Sequence, residues 1–194
     1  MKHFTELTSS AERIVDVAEA LIRERGFNGF SYEDIAREVG IRKPSIHHHF
    51  AAKADLGAVV AQRYTHRFHE RLVQIEQAHA DPAERLHAYA GLFQQTYGED
   101  RNLCVCGILG AESGALPEPV NREVRQFFRI NQDWLARIFT DIVASTPTLH
   151  GRSPGNLATL YLSALEGAML VGRASQASGN PLQAAEDFIH LLRH

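Results

Sequence analysis

From Gly40 to Lys53 the chain carries Arg42, Lys43 and Lys53 with no acid among them, and between them stand Pro44, Ser45 and three consecutive histidines beginning at His47. Ammonium, guanidinium, hydroxyl and imidazole groups held on one short segment are the chemistry of contacts to phosphate oxygens. The histidines also raise a metal site. At i, i+1 and i+2 on a helix, however, they point in different directions and do not close on one ion. Cys104 and Cys106 form a Cys-x-Cys. Its readings are buried reduced thiols or a sensor of oxidants and electrophiles, and a metal would need further ligands. His69-Glu70 lacks the second histidine of a zinc-protease helix, and no phosphate-cradling glycine loop is present. No cofactor and no catalytic constellation is expected, so an all-helical enzyme is the weaker alternative.

The segment must be placed by its neighbours. Ser31-Tyr-Glu-Asp34 is a capping signature, followed by the apolar positions Ile35, Ala36 and Val39. Gly40 suits a left-handed turn, Ile41 plugs it, and Ile46 and Phe50 turn a second short helix, 43–49, onto the first. Pro44 is tolerated there because first-turn N–H groups lack intrahelical partners. Two short helices joined this way form a helix-turn-helix, which presents its second helix to the DNA major groove.

Helical periodicity runs through the rest of the chain, and strand alternation is absent. Helices are expected over 10–25, with Ser9 and Glu12 as capping box, and over 53–79, with Leu56, Val60, Tyr64, Phe68, Leu72 and Ile75 as its stripe. Others are expected over 82–97, 119–145, 154–177 and 181–193. Asp81-Pro82, Ser153-Pro154 and Asn180-Pro181 each pair a capping side chain with a first-turn proline. Segment 104–114 is a short helix at most. The fold class is therefore all-α.

The 194 residues carry a formal net charge of -3, and 44% are hydrophobic. The balance is not basic, so a nucleic-acid reading rests on local charge alone. No uninterrupted apolar run of about 18 residues exists, which argues against a membrane span. The start of the chain has no apolar signal core, and two cysteines make no disulfide framework. A soluble cytoplasmic protein is expected.

The run Gly40-Ile-Arg-Lys-Pro-Ser-Ile-His-His-His-Phe50, then Lys53 and Leu56, resembles the signature of the TetR family of bacterial transcription regulators. Gly26-Phe27 and Asp34-Ile35-Ala36 also stand where that family has them, so the match covers about residues 9–57. Two departures occur: Arg42 replaces a small polar residue that would cap the helix, and His47 replaces a tyrosine that commonly contacts phosphate. The resemblance implies a DNA-binding head over 1–55 and a helical effector-binding and dimerisation body over 56–194. It implies a homodimer on double-stranded operator DNA, an unidentified small-molecule effector, and repression relieved by that effector. The DNA-binding residues expected are Ser31, Arg42, Lys43, Pro44, Ser45, His47, His48 and Lys53. Small residues along the helix at 154–177, namely Ser163, Gly167, Ala174 and Ser178, would let a partner helix approach. With Leu160, Ala164, Val171, Leu182, Ala185 and Ile189 they form the expected dimer seam; otherwise they are ordinary core. Phe68, Phe93, Tyr97, Cys106, Phe127, Trp134 and Met169 are pocket candidates or plain core. Glu166, an acid in an apolar stretch, reaches solvent, pairs with a cation or meets the effector.

Overall fold

The computed structural model describes residues 3–98, 100–176 and 179–193; Ser178 and residue 177 lie outside them. Among the described residues every regular element is helical: α1 (Ser9–Arg25), α2 (Tyr32–Val39), α3 (Lys43–His49), α4 (Lys53–Ala78), α5 (Pro82–Tyr97), α6 (Val105–Ala111), α7 (Glu118–Ser145), α8 (Pro154–Ser175) and α9 (Pro181–Arg193), with short 3-10 turns between some of them. The proline-led starts follow the expected capping. Asp81 accepts from the N–H groups of Ala83 and Glu84, Ser153 from Asn156, and Asn180 from Gln183. The start of α1 corrects the sequence reading. Its cap is Thr8, whose hydroxyl accepts from Ala11 N–H, and not Ser9 with Glu12.

The chain packs as two compact units. The first is residues 1–67 with 105–127; the second is 68–104 with 128–194. In the first, α1 packs on α2, α3 and α6. Its core is Ile14, Ala18 and Ile22 of α1, Ile35 of α2, Ile46 of α3 and Leu56 of α4, none more than 0% exposed. The α6 segment belongs here through its packing on α1, with Val105, Cys106 and Leu109 buried. It is too short for periodicity to reveal.

In the second unit α9 packs on both α5 and α8, and α5 also touches α8. Tyr89, Phe93, Trp134 and Tyr161 are buried in this unit. The Tyr89 hydroxyl donates to Asn131 Oδ1 at 2.8 Å, and that of Tyr161 to the Leu86 carbonyl at 2.8 Å. These bonds satisfy polar groups that would otherwise be costly to bury.

Candidate nucleic-acid interface and the buried polar cluster

The turn between α2 and α3 is set by Gly40, at φ 75° and ψ 34°, where a side chain would be strained. The N–H groups of Gly40 and Ile41 both donate to the Ala36 carbonyl, at 3.0 and 3.1 Å. Ser31 and Asp34 form the expected reciprocal cap at the start of α2. Arg13 of α1 donates to the Val39 carbonyl at 2.8 Å, and Tyr32 to the Phe50 carbonyl at 3.0 Å. These bonds close the far ends of α2 and α3. Ile46 alone of α3 is wholly buried, so the helix is pinned by one residue and turns the rest outward.

That outward face carries Arg42, Lys43, Pro44, Ser45, His47 and His48, all exposed. Arg42 occupies the N-cap without a side-chain hydrogen bond, so its guanidinium is not spent on the helix. The N–H groups of the first turn of α3 join the same positive end. Ser31 is exposed but engaged with Asp34. The His47 ring lies edge-on to Tyr32, with centroids 4.8 Å apart, and its Nδ1 is 3.4 Å from the Ala51 carbonyl. A carbonyl only accepts, so Nδ1 carries the proton of that bond and Nε2 faces away from it.

Lys53 departs from the expected patch. Its ammonium donates to the carbonyls of Phe27 and Phe30, the first at 2.5 Å. It also sits over both phenyl rings, 4.7 and 4.0 Å from their centroids. Burial lowers its pKa, against the pull of Glu112 and Asp34. Lys53 therefore fastens the start of α4 to the turn after α1. Glu112, just past α6, does the same from the other side. Its carboxylate accepts from the backbone N–H of Phe27 at 3.1 Å and from that of Asn28 at 3.4 Å. Gly26, at φ 73°, leaves the room for it: a Cβ there would lie 1.8 Å from Glu112 Oε1. Sequence reasoning missed Glu112, and no local signal marks it.

Residues 14–59 match the family profile described as bacterial regulatory proteins, tetR family. The chain is also similar along its length to a TetR-family transcriptional regulator from Agrobacterium tumefaciens. The two are 34% identical with a TM-score of 0.84, over 95% of this chain and 96% of that one. The chain belongs to the TetR family of transcriptional regulators. A TetR regulator from Legionella pneumophila is similar at 26% identity and a TM-score of 0.84, over 96% of this chain and 98% of that one. The transcriptional regulator AcuR of Cereibacter sphaeroides is 26% identical over 155 residues, which are 77% of this chain and 69% of that protein.

As a TetR-family regulator, the protein has its expected pocket residues split between the two units. Cys106 and Phe127 lie in the first, where Phe127 packs on Tyr64 with ring centroids 5.6 Å apart. Phe68, Phe93, Tyr97, Trp134, Glu166 and Met169 lie in the second. There Phe68 meets Phe93 edge-on at 5.8 Å, and Tyr89 stacks on Trp134 at 5.4 Å. Cys104 and Cys106 are both buried and form no disulfide. The Oε1 atom of Glu166 is sealed from solvent without a hydrogen-bond partner, and burial raises its pKa to about 7 against a hydrogen bond from Cys104.

The expected dimer residues also divide. Leu160 and Val171 are 58% and 65% exposed, Ser163 and Ala174 are exposed, and Ala164 and Gly167 are partly so. Leu170, not expected, joins this stripe of α8 at 58% exposure. On α9, Ala185 is wholly buried and Leu182 partly so, whereas Leu191 is 76% exposed. Ile189 turns into a cavity of about 170 Å³ that it lines with Leu86, Ile142 and Leu149.

Proposed function

We propose that this TetR-family regulator is a repressor that binds a near-palindromic operator as a two-fold dimer and leaves it when a small molecule enters the body. The observation that carries the DNA reading is the outward face of α3. Lys43, Ser45, His47 and His48 surround a single buried anchor, Ile46, with no acid on the helix. Lys43 and Arg42 supply the phosphate contacts, Pro44 shapes the first turn, and Ser45 and His48 meet base edges or backbone. Ser31 adds a hydroxyl at the start of α2. His47 contributes when protonated, because its neutral ring, with Nδ1–H held by Ala51, offers only a lone pair at Nε2. Lys53 is assigned to holding the head together.

The stripe Leu160, Ser163, Leu170, Val171 and Ala174, all exposed, with the partly exposed Gly167 among them, supports the dimer. These positions recur at helical spacing, and apolar side chains so exposed are what a partner helix covers. Effector release requires only that the ligand bind two arrangements of the heads with different affinity, and about 1.4 kcal/mol of coupling gives tenfold. No catalytic role is assigned. Footprinting on sites selected from random DNA tests the reading. Protection of two inverted half-sites about one helical turn apart, or a multiple of it, is expected; a single unrepeated site bound by one chain overturns it.

A second reading, a thiol sensor, has one observation in its favour: Cys104 hydrogen-bonds to Glu166. Cys104 and Cys106 are only 1% and 0% exposed, which shields both thiols from a soluble oxidant. Changing both to Ser decides it. Equal peroxide-induced release by the parent and the variant removes the sensor reading.

A further inference from the structure

In the second unit Gln94 Oε1, Tyr97 Oη, Trp134 Nε1 and Glu166 Oε1 are all sealed from solvent without a hydrogen-bond partner. Leaving one such group unpaired costs about 1–3 kcal/mol, so four of them within one unit call for an explanation. The neighbouring hydroxyls of Tyr89 and Tyr161 are both bonded, so the unit as a whole is not loosely built.

The four atoms are placed by three helices: Gln94 and Tyr97 on α5, Trp134 on α7 and Glu166 on α8. Tyr89, Phe93 and Tyr97 follow one another at i+4 on α5, and Tyr89 lies 5.3 Å from Phe93 and 5.4 Å from Trp134 between ring centroids. Glu166 of α8 acts electrostatically on Tyr89. The Tyr97 hydroxyl reaches the same helix farther along, within 2.8 Å of where a Cβ on Gly172 would stand. Glu166 and Gly172 are about 9 Å apart along the axis at the rise of an α-helix. Met169, wholly buried on the same side of α8, is an unbranched side chain that can repack around a guest.

The donor and acceptor count then selects a ligand. Glu166, when ionised, and Gln94 Oε1 only accept, Tyr97 does either, and Trp134 only donates. Acceptors are in excess, and the one formal charge is negative, with no cation acting on it among the described residues. A carboxylate without a counter-charge beside aromatic faces is complementary to a cation that carries its own apolar body.

We propose that this seam of α5, α7 and α8 takes a small lipophilic amine in its protonated form, with the ammonium on Glu166 and the aromatic body against Phe93, Tyr89 and Trp134. The proposal names the chemical class of the effector and rests on the effector reading above for its link to DNA.

The chain has a single tryptophan, Trp134, so its fluorescence reports on the site directly. The full-length protein is titrated at pH 8 with phenylbutylamine and its isosteres phenylbutanol and phenylbutyrate, with operator affinity followed in parallel by anisotropy. The amine is expected to bind at least about tenfold more tightly than either isostere, a 1.4 kcal/mol difference. Glu166→Gln is expected to remove that preference while leaving the alcohol within about threefold, the size of a minor contact. The isostere ranking needs no variant and stands even if Glu166→Gln fails to fold. An alcohol or carboxylate that binds as well as the amine, or an amine that leaves Trp134 unmoved, overturns the proposal. If such an isostere also releases the operator, the effector reading survives without the cation class. If the amine binds through Glu166 and operator affinity stays constant, the cation site stands and the effector reading falls.

Discussion

Glu19 in the first unit and Glu166 in the second both have carboxylate oxygens withdrawn from water, and their surroundings answer that burial in opposite ways. Glu19 is met by Arg23 at 2.8 Å, Arg63 at 3.0 Å and Arg67 at 2.5 Å, and Arg63 is held in turn by Asp16 at 2.7 Å. Burial pushes its pKa up, but Arg23 and Arg67, with hydrogen bonds from Arg63 and Arg67, outweigh that and hold it low. Glu166 has burial and one thiol, so its pKa rises. The first carboxylate is part of the architecture, since it ties α1 to α4. The second has a thiol but no cation to meet its charge, which is the state expected of a group whose counter-charge arrives from outside.

The largest expected effect comes from removing the supported one. Glu19→Gln leaves three guanidiniums facing a neutral amide, and the loss is expected near 3 kcal/mol, at the lower edge of the range for breaking a buried pair because Arg67 is half exposed. A folded pKa below the unfolded one means that stability is present above the unfolded value and disappears as pH falls through the folded value. Urea unfolding of the two proteins should therefore differ at neutral pH and converge in acid. A difference under about 1 kcal/mol at pH 7 would make the cluster no more than a surface ion pair.

Glu166→Gln should act with the opposite sign. A carboxyl whose folded pKa is raised from 4.5 to about 7 costs the native state stability as pH climbs through that window. Each pKa unit is 1.36 kcal/mol, so at pH 8 the variant is expected to be more stable by up to about 3 kcal/mol. The gain should vanish below pH 4.5. Of the groups facing Glu166, Cys104 donates a hydrogen bond to it, and the Tyr89 hydroxyl, held well above its ordinary range by burial, stays neutral across this range. A variant equally stable at pH 4 and pH 8 would break the contrast with Glu19.

What could be read in the sequence was what is local in the chain. The spacing of Ser31, Gly40 and Ile46 placed the helix-turn-helix, and three proline-led caps placed the starts of α5, α8 and α9 within a residue. The i, i+4 pair of Glu19 and Arg23 follows the same local logic. The partners Arg63 and Arg67 stand more than forty positions on, and the clasp of Glu112 on Phe27 joins residues 85 apart, so nothing in either neighbourhood announces them. Lys53 shows the limit plainly. A lysine in a basic run suggested phosphate, but two phenyl rings and two carbonyls from an earlier turn had already claimed it. On α9 the expected seam residues Leu182, Ala185 and Ile189 did not behave alike: Ala185 is wholly buried in its own unit, Leu182 is only partly so, and Leu191, outside that stripe, is exposed, because the faces of a short amphipathic helix are distinguished only by what packs on them.

The two lysines sharpen the comparison at the level of binding. Lys53→Met keeps the stem but leaves the carbonyls of Phe27 and Phe30 without their donor. Hydrogen bonds to a charged group contribute about 1.5–3 kcal/mol, so a loss of about 2 kcal/mol in urea unfolding is expected. The salt dependence of operator binding should stay as it was, because the ammonium that is removed is engaged by carbonyls of the protein itself. A reduced salt slope in this variant would return Lys53 to the phosphate-contacting set.

Lys43 is the reverse case and the smallest effect on the fold. It opens α3, is exposed, and forms no ion pair or side-chain hydrogen bond among the described residues. Lys43→Ala should leave unfolding unchanged within about 0.5 kcal/mol, as surface substitutions usually do. Its effect should lie in the salt dependence of DNA binding. Each phosphate neutralised releases condensed counterion on binding, so removing one such contact lowers the slope of log K against log salt by about one. The loss should be similar on the selected operator and on unrelated duplex, since a phosphate contact carries no sequence information. Anisotropy on both duplexes across a salt series measures this. A parent slope retained by the variant would take Lys43 out of the interface, and a loss confined to the operator would make it a reader of bases.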